Sequence, residues 1–130
     1  EFSDTHAVKI IGPVSSLLFL PDHDDWVETL DMVGQSSIRE WLNSLEIDFA
    51  LIDGTFWSED ELGGRDMSQI PHPTISDTIG RLGRKEHGDP EVIFFHLNHT
   101  NPVIDRGSDE YRELSSLGWS IGEQGTTFVL

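Results

Sequence analysis

Five side chains in this 130-residue sequence could act together on a divalent metal: Asp22, Asp53, His72, His96 and His99. Carboxylate oxygens and imidazole nitrogens are ligands for zinc, iron and manganese alike. The chain contains no cysteine, which removes thiolate ligands, thiol nucleophiles and disulfides together. Any metal must therefore be held by His, Asp or Glu. Taken singly, each residue has a plainer use. Asp22 follows Pro21 and Asp53 precedes Gly54, both turn settings. His72 sits between two prolines, and His96 and His99 could be ordinary strand-end residues. His23 beside Asp22 stays open, while His6 and His87 fall in a terminus and a polar turn and are read as non-functional.

What unites the five is where the chain should place them. Val8–Ile11 and Leu17–Leu20 are short apolar runs flanking Gly12-Pro13, which reads as a hairpin or two neighbouring strands. Trp26, Val27 and Leu30 lie at helical spacing within the acidic stretch 24–31. Ser37-Ile38-Arg39-Glu40 has the form of a capping box, with Ile38, Trp41, Leu42 and Leu45 on one helical face behind it. Ile47–Phe56 and Val92–Phe95 are strands apolar on both faces, the pattern of strands buried between helices. A polar loop over 57–70 separates them, and Pro73 is expected to open a helix carrying Ile75, Ile79 and Leu82. Ser108 should cap a last helix that Gly118 stops, with Tyr111, Leu114 and Leu117 turned inward. Trp119–Ile121 and Thr126–Leu130 alternate like a closing hairpin. Strands alternating with helices make an α/β layer structure, in which functional residues gather beyond the carboxyl ends of strands. Asp22, Asp53 and His96 each follow or end such a strand, and His72 precedes a helix.

Bulk properties narrow the function. Twenty-four acidic against eight basic residues leave a net charge of −16. That field repels phosphate backbones, so nucleic acid is not an expected partner. The acids form either a solvated surface or a field that attracts cations and basic partners. No apolar run approaches the roughly 20 residues of a membrane span, and no Gly-rich phosphate loop follows a strand. The absence of cysteine fits a cytoplasmic location. Residues 1–130 read as one segment without linker or repeat, and the non-Met start at Glu1 suggests a piece of something longer.

Several stretches are similar to a known family. Leu20-Pro21-Asp22, then Leu51-Ile52-Asp53-Gly54-Thr55-Phe56-Trp57, then the run 64–73, Phe95–Pro102 and Gly118–Gly125 resemble the pyrroloquinoline quinone biosynthesis protein B family of the metallo-β-lactamase fold, from about Val8 to Leu130. The resemblance implies the C-terminal half of an αββα sandwich. It implies that Asp22 bridges two metals and that His96 ligates the second, zinc ahead of iron or manganese. Asp53 would be an orienting acid and His72 a proton-transfer residue, with His99 a second histidine after the ligand. The implied activity is hydrolysis, with a metal-activated water attacking an ester or phosphodiester-type bond of a small molecule. The family's main motif, His-x-His-x-Asp-His, does not occur here. This segment alone is accordingly expected to be inactive, and to pack against an N-terminal half of the same fold or another copy of itself. Two further readings are an iron-dependent oxygenase-type enzyme of quinone cofactor biosynthesis and a non-catalytic binding or assembly subunit.

Overall fold

The computed structural model describes residues 6–62 and 72–130. The opening five residues and most of the 57–70 loop, with the 64–71 part of the family-like run, lie outside the described residues.

Five strands form one sheet in sequential order: β1 (Val8–Ile11), β2 (Ser16–Leu20), β3 (Phe49–Asp53), β4 (Glu91–Phe95) and β5 (Ser120–Ile121). β1 runs antiparallel to β2, as the Gly-Pro turn predicts, and every later pair is parallel. Parallel neighbours need crossovers. These come from α1 (Trp26–Val33) and α2 (Ile38–Ser44) before β3, α3 (Ile75–Leu82) before β4, and α4 (Asp109–Leu117) before β5. Local chemistry sets the helix ends. Asp25, Ser37, Thr74 and Ser108 are N-caps whose side chains accept from the backbone N–H three residues on. Gly34 and Gly118 close α1 and α4 in the left-handed region, at φ of 66° and 93°.

Strand periodicity then divides the sheet. Leu18, Leu20, Ala50, Ile52, Val92 and Phe94 point to one face. There they join Trp26, Ile38, Leu42, Ile75, Ile79 and Leu114 from the helices in one buried cluster. The opposite face carries Phe19, Phe49, Leu51, Ile93 and Phe95, and none of these is fully buried. The expectation of strands covered on both sides is therefore corrected: both faces are apolar, but the helices cover one.

The start of α3 and the C-terminal hairpin also differ from expectation. Pro73 does not open α3, because Thr74 stays extended and caps the helix by accepting from the Asp77 N–H at 3.2 Å. Thr126–Leu130 makes no strand, and β5 pairs in parallel with β4 instead. A turn bonding Thr126 N–H to Glu123 O, with Gly125 at φ 88°, sends the tail over the open face. Phe128 packs on Phe49 with ring centroids 5.0 Å apart, and Ser15 Oγ donates to Val129 O at 2.5 Å. Leu130 lies so close to Gly12 that a Cβ there would stand 2.0 Å from its carbonyl carbon. The alternation noticed in 126–130 is thus that of a strap lying on a sheet. Between strap and sheet is a cavity of about 490 Å³ walled by Leu51, Ile93, Phe95, Ile121 and Phe128.

Candidate metal centre at the strand ends

Three adjacent parallel strands, β2, β3 and β4, deliver Asp22, Asp53 and His96 to one rim. Register sets this up: Leu20 pairs with Ile52 and Ile52 with Phe94, while Asp53 pairs with Phe95. Asp22 and His96 turn off the strands with φ of 48° and 61°. Such left-handed backbone is uncommon for residues other than glycine and clusters at functional sites. His72 arrives from the entry to α3.

Asp53 is fully buried, and each carboxylate oxygen has a partner. Oδ1 accepts from Thr55 N–H at 2.9 Å and from Thr55 Oγ1 at 2.6 Å, and Oδ2 pairs with His72 Nδ1 at 2.5 Å. Burial pushes the Asp53 carboxyl up, but the bonds from His72 and Thr55 outweigh it and hold the group below its usual 3.8. The same bond from Asp53 raises the His72 imidazole against its own burial, helped by the charges of Asp53, Asp22 and Asp24. A carboxylate on Nδ1 fixes the ring and leaves Nε2 facing the rim.

Around that pair, Asp22 Oδ1 lies 3.7 Å from His72 Nε2 and 3.3 Å from His96 Nδ1. Ligands about 2.0–2.1 Å from a tetrahedral metal stand roughly 3.3–3.5 Å from one another. Asp22, Asp53 and His72 also offer one ligand atom each within 4.8 Å of one another. Because both Asp53 oxygens are already engaged, the groups that suit a metal are Asp22 and His96, with His72 Nε2 facing them and Asp53 behind it. The donor set is all nitrogen and oxygen, which fits a divalent cation.

Four of the five expected residues therefore meet. His99 does not join them: it is exposed, and its Nδ1 lies 3.0 Å from Asn98 Oδ1. His23, left open by the sequence, is buried in the wall beneath the rim. Its ring meets Trp26 edge-on at 4.4 Å and its Nδ1 lies 3.2 Å from Thr29 Oγ1. Burial lowers it to about 4.

Two residues escaped the sequence reading. Thr55 closes the turn after β3, with Oγ1 3.3 Å from His96 Nδ1 and 3.4 Å from His72 Nδ1. The Asp53-Gly54-Thr55 spacing is that of an Asx-type turn, which was the available signal. Asn101 is buried and ties that turn down. Its Nδ2 donates to Gly54 O at 2.9 Å and Thr55 O at 3.3 Å, and its Oδ1 accepts from Val103 N–H at 3.2 Å. Gly54 must be glycine-sized, since a Cβ there would come to 3.0 Å from the Phe94 and Leu97 side chains and Phe95 O.

No protein-family model matches the chain. Individual proteins do. Coenzyme PQQ synthesis protein B of Ruegeria pomeroyi is 38% identical over 88 residues, covering 62% of this chain and 29% of the relative. The protein of that name from Methylococcus capsulatus is 32% identical over 91 residues, 64% of the chain and 29% of the relative. The Acinetobacter baumannii (strain ACICU) protein is 26% identical over 121 residues, 87% and 40%. The chain thus spans about a third of the length of the curated relatives it matches. Among solved structures, the zinc-bound PqqB of Methylobacterium extorquens superposes with a TM-score of 0.68 at 21% identity, over 95% of this chain and 43% of that one. The chain resembles PQQ synthesis protein B, and its α/β fold is that of the matched part of PqqB, a metallo-β-lactamase-fold protein. No described helix is long and apolar enough to cross a membrane.

Proposed function

We propose that this segment supplies part of the metal centre of a metallo-β-lactamase-fold hydrolase akin to PQQ synthesis protein B. Asp22 and His96 hold a divalent ion, zinc by preference, and His72 moves the proton under the control of Asp53. The observation that carries this reading is the Asp53–His72 bond of 2.5 Å, which points His72 Nε2 at the space between Asp22 and His96. A bound ion would supply Lewis acidity and draw the pKa of its water toward about 7. The chain's own part is to hold, orient and protonate. Asp53 takes the Nδ1 hydrogen of His72. The bond from Asp53 raises the affinity of that ring for a proton, which suits Nε2 to protonate a departing oxygen of an ester or phosphodiester-type substrate. His99, exposed beside the rim, would meet the substrate rather than the ion.

Two ligands are fewer than the three that a catalytic zinc takes from protein. The open face of the sheet is apolar, and both shortfalls would be met by an N-terminal half of the same fold packed on that face. Such a half would bring the remaining ligands and fill the cavity beneath the strap.

Zinc titration followed by elemental analysis, on wild type beside Asp22→Ala, His96→Ala and His72→Gln, tests the assignment. Loss of zinc in the first two, with retention in His72→Gln, is the expected result. Zinc bound equally by wild type, Asp22→Ala and His96→Ala would refute the centre and favour a binding or assembly role.

A further inference from the structure

Beyond β5 the chain is no longer held by sheet bonds. Gly122 N–H donates to Phe94 O at 2.8 Å, and the next backbone bond is the turn from Thr126 N–H to Glu123 O at 3.1 Å. Among the described residues, no backbone bond joins 127–130 to a strand. The strap is held at its two ends instead. At the near end Arg106 pairs with Glu123. At the far end the turn between β1 and β2 acts as a catch. Ser15 Oγ donates to Val129 O at 2.5 Å there, and Gly12, having no side chain, lets Leu130 lie against it. Between the ends, Phe128 rests on Phe49.

Each of these contacts is of a weak kind. The Arg106 and Glu123 side chains are 69% and 67% exposed, so water and salt screen their attraction. One neutral hydrogen bond and one ring contact each contribute on the same modest scale. The sheet beneath is held quite differently. β3 is paired on both edges, and Ala50, Ile52, Val92 and Phe94 lie in the core. A segment with few backbone bonds and exposed contacts opens locally while the rest of a fold stays intact. Two glycines, Gly122 at the exit of β5 and Gly125 at φ 88°, bracket the turn about which such a segment would swing.

We propose that residues 123–130 form a hinged strap that opens as one unit over a folded sheet, with Arg106–Glu123 and Ser15–Val129 as its two latches. Opening uncovers Leu51, Ile93 and Phe95 in the cavity wall, so the strap and an incoming layer are alternative covers for one face. That use rests on the N-terminal half proposed above, while the opening itself does not.

Relaxation-dispersion NMR of the metal-free chain reads the opening. Residues 124–130 should share one exchange process that is absent from Phe49–Asp53 and Glu91–Phe95. Arg106→Gln should raise the open population about 1.5–5-fold, the range for an exposed ion pair. Ser15→Ala should raise it about 2–10-fold, the range for one hydrogen bond. The double variant should show the product of the two, because both latches close the same unit. Unchanged β3 and β4 signals check that each variant keeps its fold. Residues 124–130 as rigid as β4 in wild type and all variants would overturn the proposal. So would Ser15→Ala releasing 128–130 while 124–126 stay in place, since the two latches would then close separate segments. No metal or partner enters the measurement, so failure of the metal-centre reading leaves its result standing.

Discussion

His23 gives the fold a defined sensitivity to acid. Its side chain is 3% exposed, against Trp26 and Thr29, with the charges of Asp53, Asp25 and His72 acting on it. Burial lowers its pKa from 6.5 to about 4. In the unfolded chain it titrates near 6.5, so between those values the unfolded state binds the extra proton. Stability from this group is therefore fully present above pH 6.5, falls as the pH drops, and levels off below about 4. Linkage over the two values gives a loss of about 2–3 kcal/mol between pH 7.5 and 4.5. Of the other two shifted groups, Asp53 acts below that window and His72 acts at its upper end. Asp53, held below 3.8, withdraws its stabilisation only in stronger acid. His72, raised, contributes fully below 6.5 and loses its contribution as the pH climbs through its folded value. Urea unfolding of the metal-free chain at half-unit pH steps, wild type beside His23→Leu, isolates the contribution of this imidazole. With m between about 1 and 3 kcal/mol/M, the wild-type midpoint should drop by on the order of 1–2 M relative to the variant. Parallel midpoints for the two proteins from pH 7.5 to 4.5 would refute the burial of a neutral imidazole.

Two further perturbations probe the rim and the open face. Asp53→Asn removes the charge that raises His72, so the imidazole should titrate lower than in wild type and lose its contribution to stability below pH 6.5, as read by NMR titration. An unmoved His72 would place the cause elsewhere. Gly12→Ala puts a methyl where only 2.0 Å separates it from the Leu130 carbonyl carbon, which should lift the strap at a cost of about 1–3 kcal/mol. Fluorescence of a hydrophobic dye should rise as the face beneath Phe128 opens; unchanged fluorescence would show that the strap does not shield it.

What the sequence reveals of this molecule divides along local and non-local lines. Runs such as Leu17–Leu20 and Val92–Phe95, ended by polar residues, are legible because each strand and its exit are contiguous. With parallel neighbours, those exits must share a rim, and so Asp22, Asp53 and His96 could be placed together in advance. Ser37, Ser108 and Gly118 were legible for the same reason, since a cap acts within one turn. Thr55 was not, because its place in the site depends on two rings that arrive from residues 72 and 96. Nor was the displacement of Thr126–Leu130, whose alternation fits a strand edge and a sheet face equally well. The misreading of Phe49, Leu51, Ile93 and Phe95 as doubly buried is the most informative. Burial by helices on one side satisfies Ala50, Ile52, Val92 and Phe94, and nothing in that packing calls for aromatic residues on the other face. Five tail residues and a cavity of about 490 Å³ lie there instead. On the reading proposed above, one additional layer would both cover that face and add ligands to those of Asp22 and His96.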